Sequence, residues 1–231
     1  MRVVTWNLFH GRAVPEERRS LLAEFTARLA SWEWDVALLQ EVPPWWAPRL
    51  GVACEATTRT ALTSRNWLLP LTRRIAERRP DLIKSWGGGA NAILVRGEAV
   101  QEHLVLTLRR WPERRVAHAV RLERGWWVCN LHAQAHSERR ARADLATAGS
   151  WAFPSNQHAP GILGGDMNLH RASAPGFVHA AGHDVDHILV RDLDVVAPGR
   201  TLDRGTLSDH RPVLAEVAPR KDRAGQASLA A

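Results

Sequence analysis

Between residues 91 and 131 this chain leaves no room for a helix. Residues 91–95, 102–108, 115–122 and 126–131 are short stretches rich in apolar and β-branched side chains, and each reads as a strand. The last two are joined by the Arg124-Gly125 turn. Strands that follow one another so directly exclude a sheet built only of alternating strands and crossover helices, because a parallel crossover needs a dozen or more residues. Elsewhere the periodicity does switch. Residues 2–8 alternate as a strand, and 15–31 place Leu21, Leu22, Phe25 and Leu29 at helical spacing, with Pro15 near the first turn. Residues 35–40 form a buried strand stopped by Pro43 and Pro44. A second amphipathic stretch spans 67–84, with Pro70 in its first turn and Pro80 ending it early, and 87–89 is a glycine turn. Residues 137–151 read as a helix capped by Ser137, and 161–165, 186–190 and 213–217 as the remaining strands. The pattern predicts an α/β fold of two mixed sheets packed face to face, with helices outside.

The chain has 231 residues, which one domain over 1–218 can fill, followed by a polar, small-residue tail over 219–231 expected to be flexible. No run approaches the ~20 apolar residues of a membrane span. The opening MRVVTWNLF lacks the apolar core of a signal peptide, so the expected location is the cytoplasm. Cys54 and Cys129 lie far apart in apolar surroundings and read as buried thiols. The net charge is +7, carried almost wholly by arginine, since Lys84 and Lys221 are the only lysines. That balance favours a polyanionic partner, nucleic acid first and an anionic surface second. Compositional bias toward Arg, Gly and Ala accounts for the same count. The chain is expected to be a monomer.

Polar residues recur where the strands end. Asn7 closes "VVTWNL", Glu41 closes "VALLQEV", Asn130 and His132 close "WWVCNLH", and Asp166 and Asn168 follow "GILGG". Asp186 opens a strand in "DVDHILV", and Asp209 and His210 precede the last one in "LSDHRPV". Side chains repeated at strand ends converge on one rim of a rigid scaffold. Three carboxylates (Glu41, Asp166, Asp209) and several amides make an oxygen-rich set without cysteine, which suits magnesium or manganese rather than structural zinc. His132 and His210 supply groups for proton transfer or for binding a charged oxygen. A cation, a positioned base and donors to a developing anion are the parts needed to hydrolyse a phosphoester.

The ordered set TWNL, LLQEV, NAILVR, CNLHAQ, GGDMNLH, DVDHILV and LSDHRPVLAEV resembles the endonuclease/exonuclease/phosphatase family, from residue 2 to about residue 217. The resemblance implies a four-layer α/β/β/α sandwich with its site at one rim. Glu41 resembles the family's main metal-binding glutamate, with Asn7 beside it and Asp209 as a second carboxylate near the metal. His210 resembles the histidine that acts as general base or contacts the scissile phosphate, and Asp186 the acid that orients it. Asp166 and Asn168 resemble the pair that positions the attacking water and binds phosphate. His132 resembles the second histidine, which stabilises the transition state. Asn130 joins Asn168 among the substrate contacts, and Arg115 resembles an arginine that touches phosphate in some members. Two features depart from particular branches. The strand opening at Asn91 lacks the glutamate that pancreatic-type deoxyribonucleases pair with the second histidine, and the chain has no tyrosine of the kind abasic endonucleases place at the phosphate.

The implied activity is metal-dependent phosphodiester hydrolysis of nucleic acid, with magnesium (or manganese) as cofactor. Its alternative is a phosphatase or sphingomyelinase-like enzyme acting on a small or lipid phosphoester. A non-enzymatic scaffold would require a broken site, and none of these positions is missing. The histidines outside the motifs, His10 and His118 among them, carry no assigned role, and His187 reads as structural or surface because it faces away from Asp186 on a strand. Asp184 shares a face with Asp186 and competes for its role. Trp45 and Trp46 form either a stacking lip or a seal over a sheet edge. The basic segments RRIAERR and ERRARAD, with acids interspersed, read as solvated faces.

Overall fold

A computed structural model describes residues 1–63, 73–75, 88–153 and 159–220. Most of the predicted helix over 67–84 and the tail beyond residue 220 therefore lie outside the described residues. The first sheet contains β1 (Arg2–Asn7), β2 (Val36–Val42), β3 (Thr57–Leu62), β4 (Ala90–Val95), β11 (Leu193–Thr201) and β12 (Val213–Pro219), in the order β11-β12-β1-β2-β4-β3. The second contains β5 (Val100–Arg109), β6 (Arg115–Leu122), β7 (Trp127–His132), β8 (Gly161–Asp166), β9 (Val178–His183) and β10 (Asp186–Arg191), in the order β5-β6-β7-β8-β10-β9. Each sheet is antiparallel except for one central parallel pair, β1 with β2 and β7 with β8. Pro219, assigned to the tail, is the last residue of β12 and pairs with Leu193.

Strand alternation builds the layers. Val3, Val36, Leu38 and Ile93 point from the first sheet toward Val120, Val128, Ile162 and Ile188 of the second, forming the core between them. Their neighbours Val4, Ala37, Leu39 and Leu94 point outward under α1 (Leu22–Ala30) and α2 (Ala47–Ala53). On the opposite face, Ala119, Cys129, Leu131 and Leu163 pack under α3 (Glu138–Ala152). The result is the expected α/β/β/α sandwich, with buried central strands that read as apolar runs.

Three strands lack a sequence signal: β3, β9 and β11. All three are sheet edges. An edge strand shares only one ladder and shows solvent a face and a side, so it needs neither an apolar run nor strict alternation. β11 carries Pro198, which an edge tolerates, and its pairing slips at two bulges. α1 also begins later than its periodicity predicts. Residues 12–14 are held extended by pairing with the segment before His210: Val14 donates to the Thr206 carbonyl and Ser208 to the Arg12 carbonyl, both at 2.8 Å. That pairing anchors one wall of the site.

Gly165, directly before Asp166, has φ +141°, and a Cβ there would lie 1.9 Å from the Leu131 carbonyl oxygen. Gly165→Ala is therefore expected to destabilise the protein by at least about 1–3 kcal/mol from backbone strain alone. Urea unfolding of the variant at wild-type stability would contradict this account of β8.

Candidate active site

Strand ends of both sheets meet at one rim, around a cleft of about 230 Å³ lined by Phe9, His10, Glu41, Arg115, His132, Asp209 and His210, among others. Beneath His132 and His210 of this lining lies a buried floor residue, Asp166, the last residue of β8. Asn7 Nδ2 donates to Asp166 Oδ2 at 2.9 Å, and the Asn168 N–H donates to Oδ1 at 3.0 Å. His132 Nε2 lies 3.3 Å and His210 Nε2 3.9 Å from the same Oδ2. His210 Nδ1 stands 2.7 Å from Asp186 Oδ2, so β10 supplies the orienting carboxylate and the last loop the imidazole. Asp184 lies instead in the turn before β10, 2.8 Å from the exposed His170, which leaves Asp186 as the partner of His210.

The backbone at this rim is held in unfavourable conformations. Glu41, Asn168 and Ser208 have φ of 49°, 48° and 61°, in the left-handed region that non-glycine residues rarely visit. Glu41 sits where the β2–β4 register shifts, so a bulge turns its side chain into the cleft. Each such residue costs about 1–3 kcal/mol and persists only where the surrounding structure enforces it, a situation that clusters at functional sites.

Burial and charge set the protonation pattern. Burial pulls the His210 imidazole down, but the hydrogen bond and charge of Asp186, with Asp166 and Asp209 behind it, outweigh that and raise its pKa to about 10. Burial and the neighbouring Asp186 charge raise Asp166, against the opposing pull of the charged His210, the Asn7 amide and the Asn168 N–H. His132 is held well below its ordinary value by burial, and by the charges of Arg115, His210 and His10. At neutral pH the His210 imidazole is therefore charged and donates, and the His132 imidazole is neutral. A group whose folded pKa lies above its ordinary 6.5 stabilises the fold fully below that pH and loses the contribution as pH rises through about 10. Asp186→Asn is accordingly expected to lower stability near neutrality, with the gap from wild type closing as pH approaches 10. Unfolding curves showing the same gap at both ends would contradict the pairing.

Two donor sets could hold a cation. The ligand atoms of Asp166, Asp186 and His210 lie within 4.8 Å of one another. There, however, His210 Nδ1 already hydrogen-bonds Asp186, and a cation would have to displace the proton. The cleft carboxylates Glu41 and Asp209 fit better. They are hard oxygen donors beside open space, and magnesium is commonly held by one or two carboxylates with water and substrate phosphate. Asn7, expected beside the metal, is turned away: its amide is used on Asp166 and on the Phe9 N–H, and it supports the floor.

Other expectations are corrected. Asn130 does not reach the cleft. It is fully buried between the sheets, donates to the Leu39 and Ala92 carbonyls and accepts from Gln40, because its strand position faces the inter-sheet core. Asn168 spends its side-chain donor on the Ala133 carbonyl and contributes its backbone N–H to Asp166. Arg115 does line the cleft. It pairs with Glu113 at 2.6 Å, and its buried Nε has no hydrogen-bond acceptor among the described residues. Trp45 and Trp46 are a seal rather than a lip: Trp46 lies in the core under α1 and α2, packed on Phe25 with ring centres 5.5 Å apart, and the half-buried Trp45 packs against that core.

Two residues of this rim went unread in the sequence. His10 Nε2 lies 3.2 Å from Glu41 Oε2. Its position just after the end of β1 was the available signal. Ser208 is fully buried, donates to the Asn7 carbonyl at 2.7 Å and accepts the His210 N–H at 3.0 Å, tying the His210 loop to β1.

A sequence model described as the Endonuclease/Exonuclease/phosphatase family matches residues 4–210. No curated protein matches the sequence. Solved structures share the fold at low identity. An endonuclease/exonuclease/phosphatase from Beutenbergia cavernae DSM 12333 is 18% identical with a TM-score of 0.70, covering 94% of this chain and 71% of its own. TDP2 from Caenorhabditis elegans is 16% identical with a TM-score of 0.67, over 93% of this chain and 74% of that one. The mannosyl-6-phosphatase Bt3783 of Bacteroides thetaiotaomicron VPI-5482 is 15% identical with a TM-score of 0.60, over 94% and 99%.

Proposed function

This chain belongs to the endonuclease/exonuclease/phosphatase family, whose members are phosphoester hydrolases, and we propose that it is a divalent-metal-dependent phosphodiesterase acting on nucleic acid. The observation that carries the reading is that Glu41, His132 and His210 line one cleft, with Asp166 and Asp186 buried against the two histidines. Substrate choice is supported by the net charge of +7 and by Arg12, Arg114 and Arg115 along the cleft.

In this reading Asp166 takes the proton of the attacking water. Its raised pKa brings it toward the working pH, where a general base is most effective. Asn7 and the Asn168 N–H hold that carboxylate in place. His210, kept charged by Asp186, donates to a phosphoryl oxygen rather than acting as the base, which selects phosphate contact from the two roles the family resemblance implied. His132 and Arg115, both lining the cleft, offer further donors to the charge that gathers as water adds in line. Glu41 and Asp209 would hold magnesium or manganese, and the bound ion supplies positive charge that offsets the charge on the phosphoryl oxygens.

The test is a substrate panel with magnesium and with EDTA: single- and double-stranded DNA, RNA, abasic DNA, sphingomyelin and an inositol phosphate. Magnesium-dependent cleavage of a nucleic acid is expected. Turnover of only the small or lipid esters would replace the substrate assignment, and a wild-type rate equal to that of Glu41→Ala would remove the enzymatic reading altogether.

A further inference from the structure

A second, larger cavity of about 650 Å³ opens on the same rim, lined by Arg109, His136, Ser137, Arg139, Arg140 and Ala143. It is joined to the cleft twice over. Arg109 ends β5 and Arg115 opens β6, so the loop between them has a cationic foot in each cavity. His132 ends β7 and Ser137 caps α3, so a second short loop also has one end in each cavity.

The cavity is built for negative charge. Ser137 Oγ accepts the Arg140 N–H at the start of the fifteen-residue α3, whose dipole places partial positive charge there. Arg139 and Arg140 make no ion pair among the described residues, whereas Arg142, further along the helix, is paired with Glu138. Arg109 is positioned by the buried Asp144 at 3.0 Å, and its buried Nε has no acceptor among the described residues. Between the two feet of the first loop, Trp111 is 81% exposed. An indole so exposed contributes little to the fold and offers a stacking face.

We infer that this cavity is a second phosphate subsite and that Trp111 is a base-stacking platform on the loop joining it to the cleft, so that the ligand is a single-stranded nucleic acid lying across both. Unpaired bases expose the faces that an aromatic platform takes, whereas a duplex keeps them stacked. The concave setting of the arginines suits a threaded strand better than a membrane, which meets a flat or convex face. The inference rests on the phosphodiesterase reading for where the strand is cut, but not for how it is held.

The test is fluorescence anisotropy of labelled oligothymidylate of about 12 nucleotides, within the range of single-strand binding sites. Binding is measured in EDTA, so that no cleavage intervenes. For Arg139→Gln/Arg140→Gln, the slope of log affinity against log salt is expected to fall by about 0.7 for each phosphate that is no longer neutralised. Trp111→Ala is expected to weaken binding about 5- to 150-fold with the slope unchanged, from ~1–3 kcal/mol per stacked base at ~1.36 kcal/mol per tenfold. All three side chains are exposed, and an unchanged melting temperature confirms that the variants fold. Wild-type affinity and slope in both variants overturn the inference, as does failure of the wild type to bind, tighter binding of duplex than of single strand, or capture by phosphatidylserine vesicles in place of the oligomer. Oligouridylate in parallel separates RNA from DNA. Binding through these residues without cleavage on adding magnesium would uphold the subsite and overturn the phosphodiesterase reading of the cleft.

Discussion

His210→Ala is expected to lower kcat for phosphodiester hydrolysis by about 10²–10³-fold, the range for removing one positioned donor to charge that develops in the transition state. His210 is fixed at three points: Asp186 on the imidazole Nδ1, Ser208 Oγ on the backbone N–H and the Trp6 indole on the backbone carbonyl. Such fixing would be superfluous for a surface histidine. Because the side chain is held charged, KM should rise together with the fall in kcat if it contacts the ground-state phosphate, and kcat alone should fall if contact forms only in the transition state. Steady-state kinetics separate these outcomes. A loss of only a few-fold would remove His210 from the reaction.

Glu41→Gln is expected to have an effect of similar size by a different route. Loss of cation-derived charge stabilisation, several kcal/mol, corresponds to about 10²–10³-fold in rate at ~1.36 kcal/mol per tenfold. Chelation by EDTA should reproduce it in the wild type, and added magnesium or manganese should restore the wild type far below the concentration the variant needs. Calorimetric titration with manganese gives a readout independent of turnover: the variant should bind more weakly, while Asp186→Asn should bind nearly as the wild type does. Equal affinity in Glu41→Gln, or weakening in Asp186→Asn alone, would move the cation to the Asp166–Asp186–His210 cluster.

Every central strand was legible from sequence, because β1, β2, β4, β6, β7, β8, β10 and β12 are buried and an apolar run is the direct signature of burial. The strands that escaped are edges, where the residue pattern is set by solvent as much as by the sheet. The site was legible for a related reason: a strand that ends at a rim must change from apolar to polar there, so Glu41, His132, Asp166 and His210 stood out by position. The same rule brought in Asn130 wrongly. It sits one pleat short of the rim, and period-2 alternation turns its amide into the core.

The sequence by itself determined the four layers, the rim and the residue types that meet on it, since these follow from hydrophobic periodicity and from where it stops. Only the tertiary structure decided which carboxylate serves which histidine. Asp184 and Asp186 differ by two residues and share a face by strand alternation, yet a turn carries the first to solvent while the strand aims the second at His210. It also decided that His210 is charged and His132 neutral, because a protonation state depends on burial and on neighbours that the fold brings together from separate strands and loops.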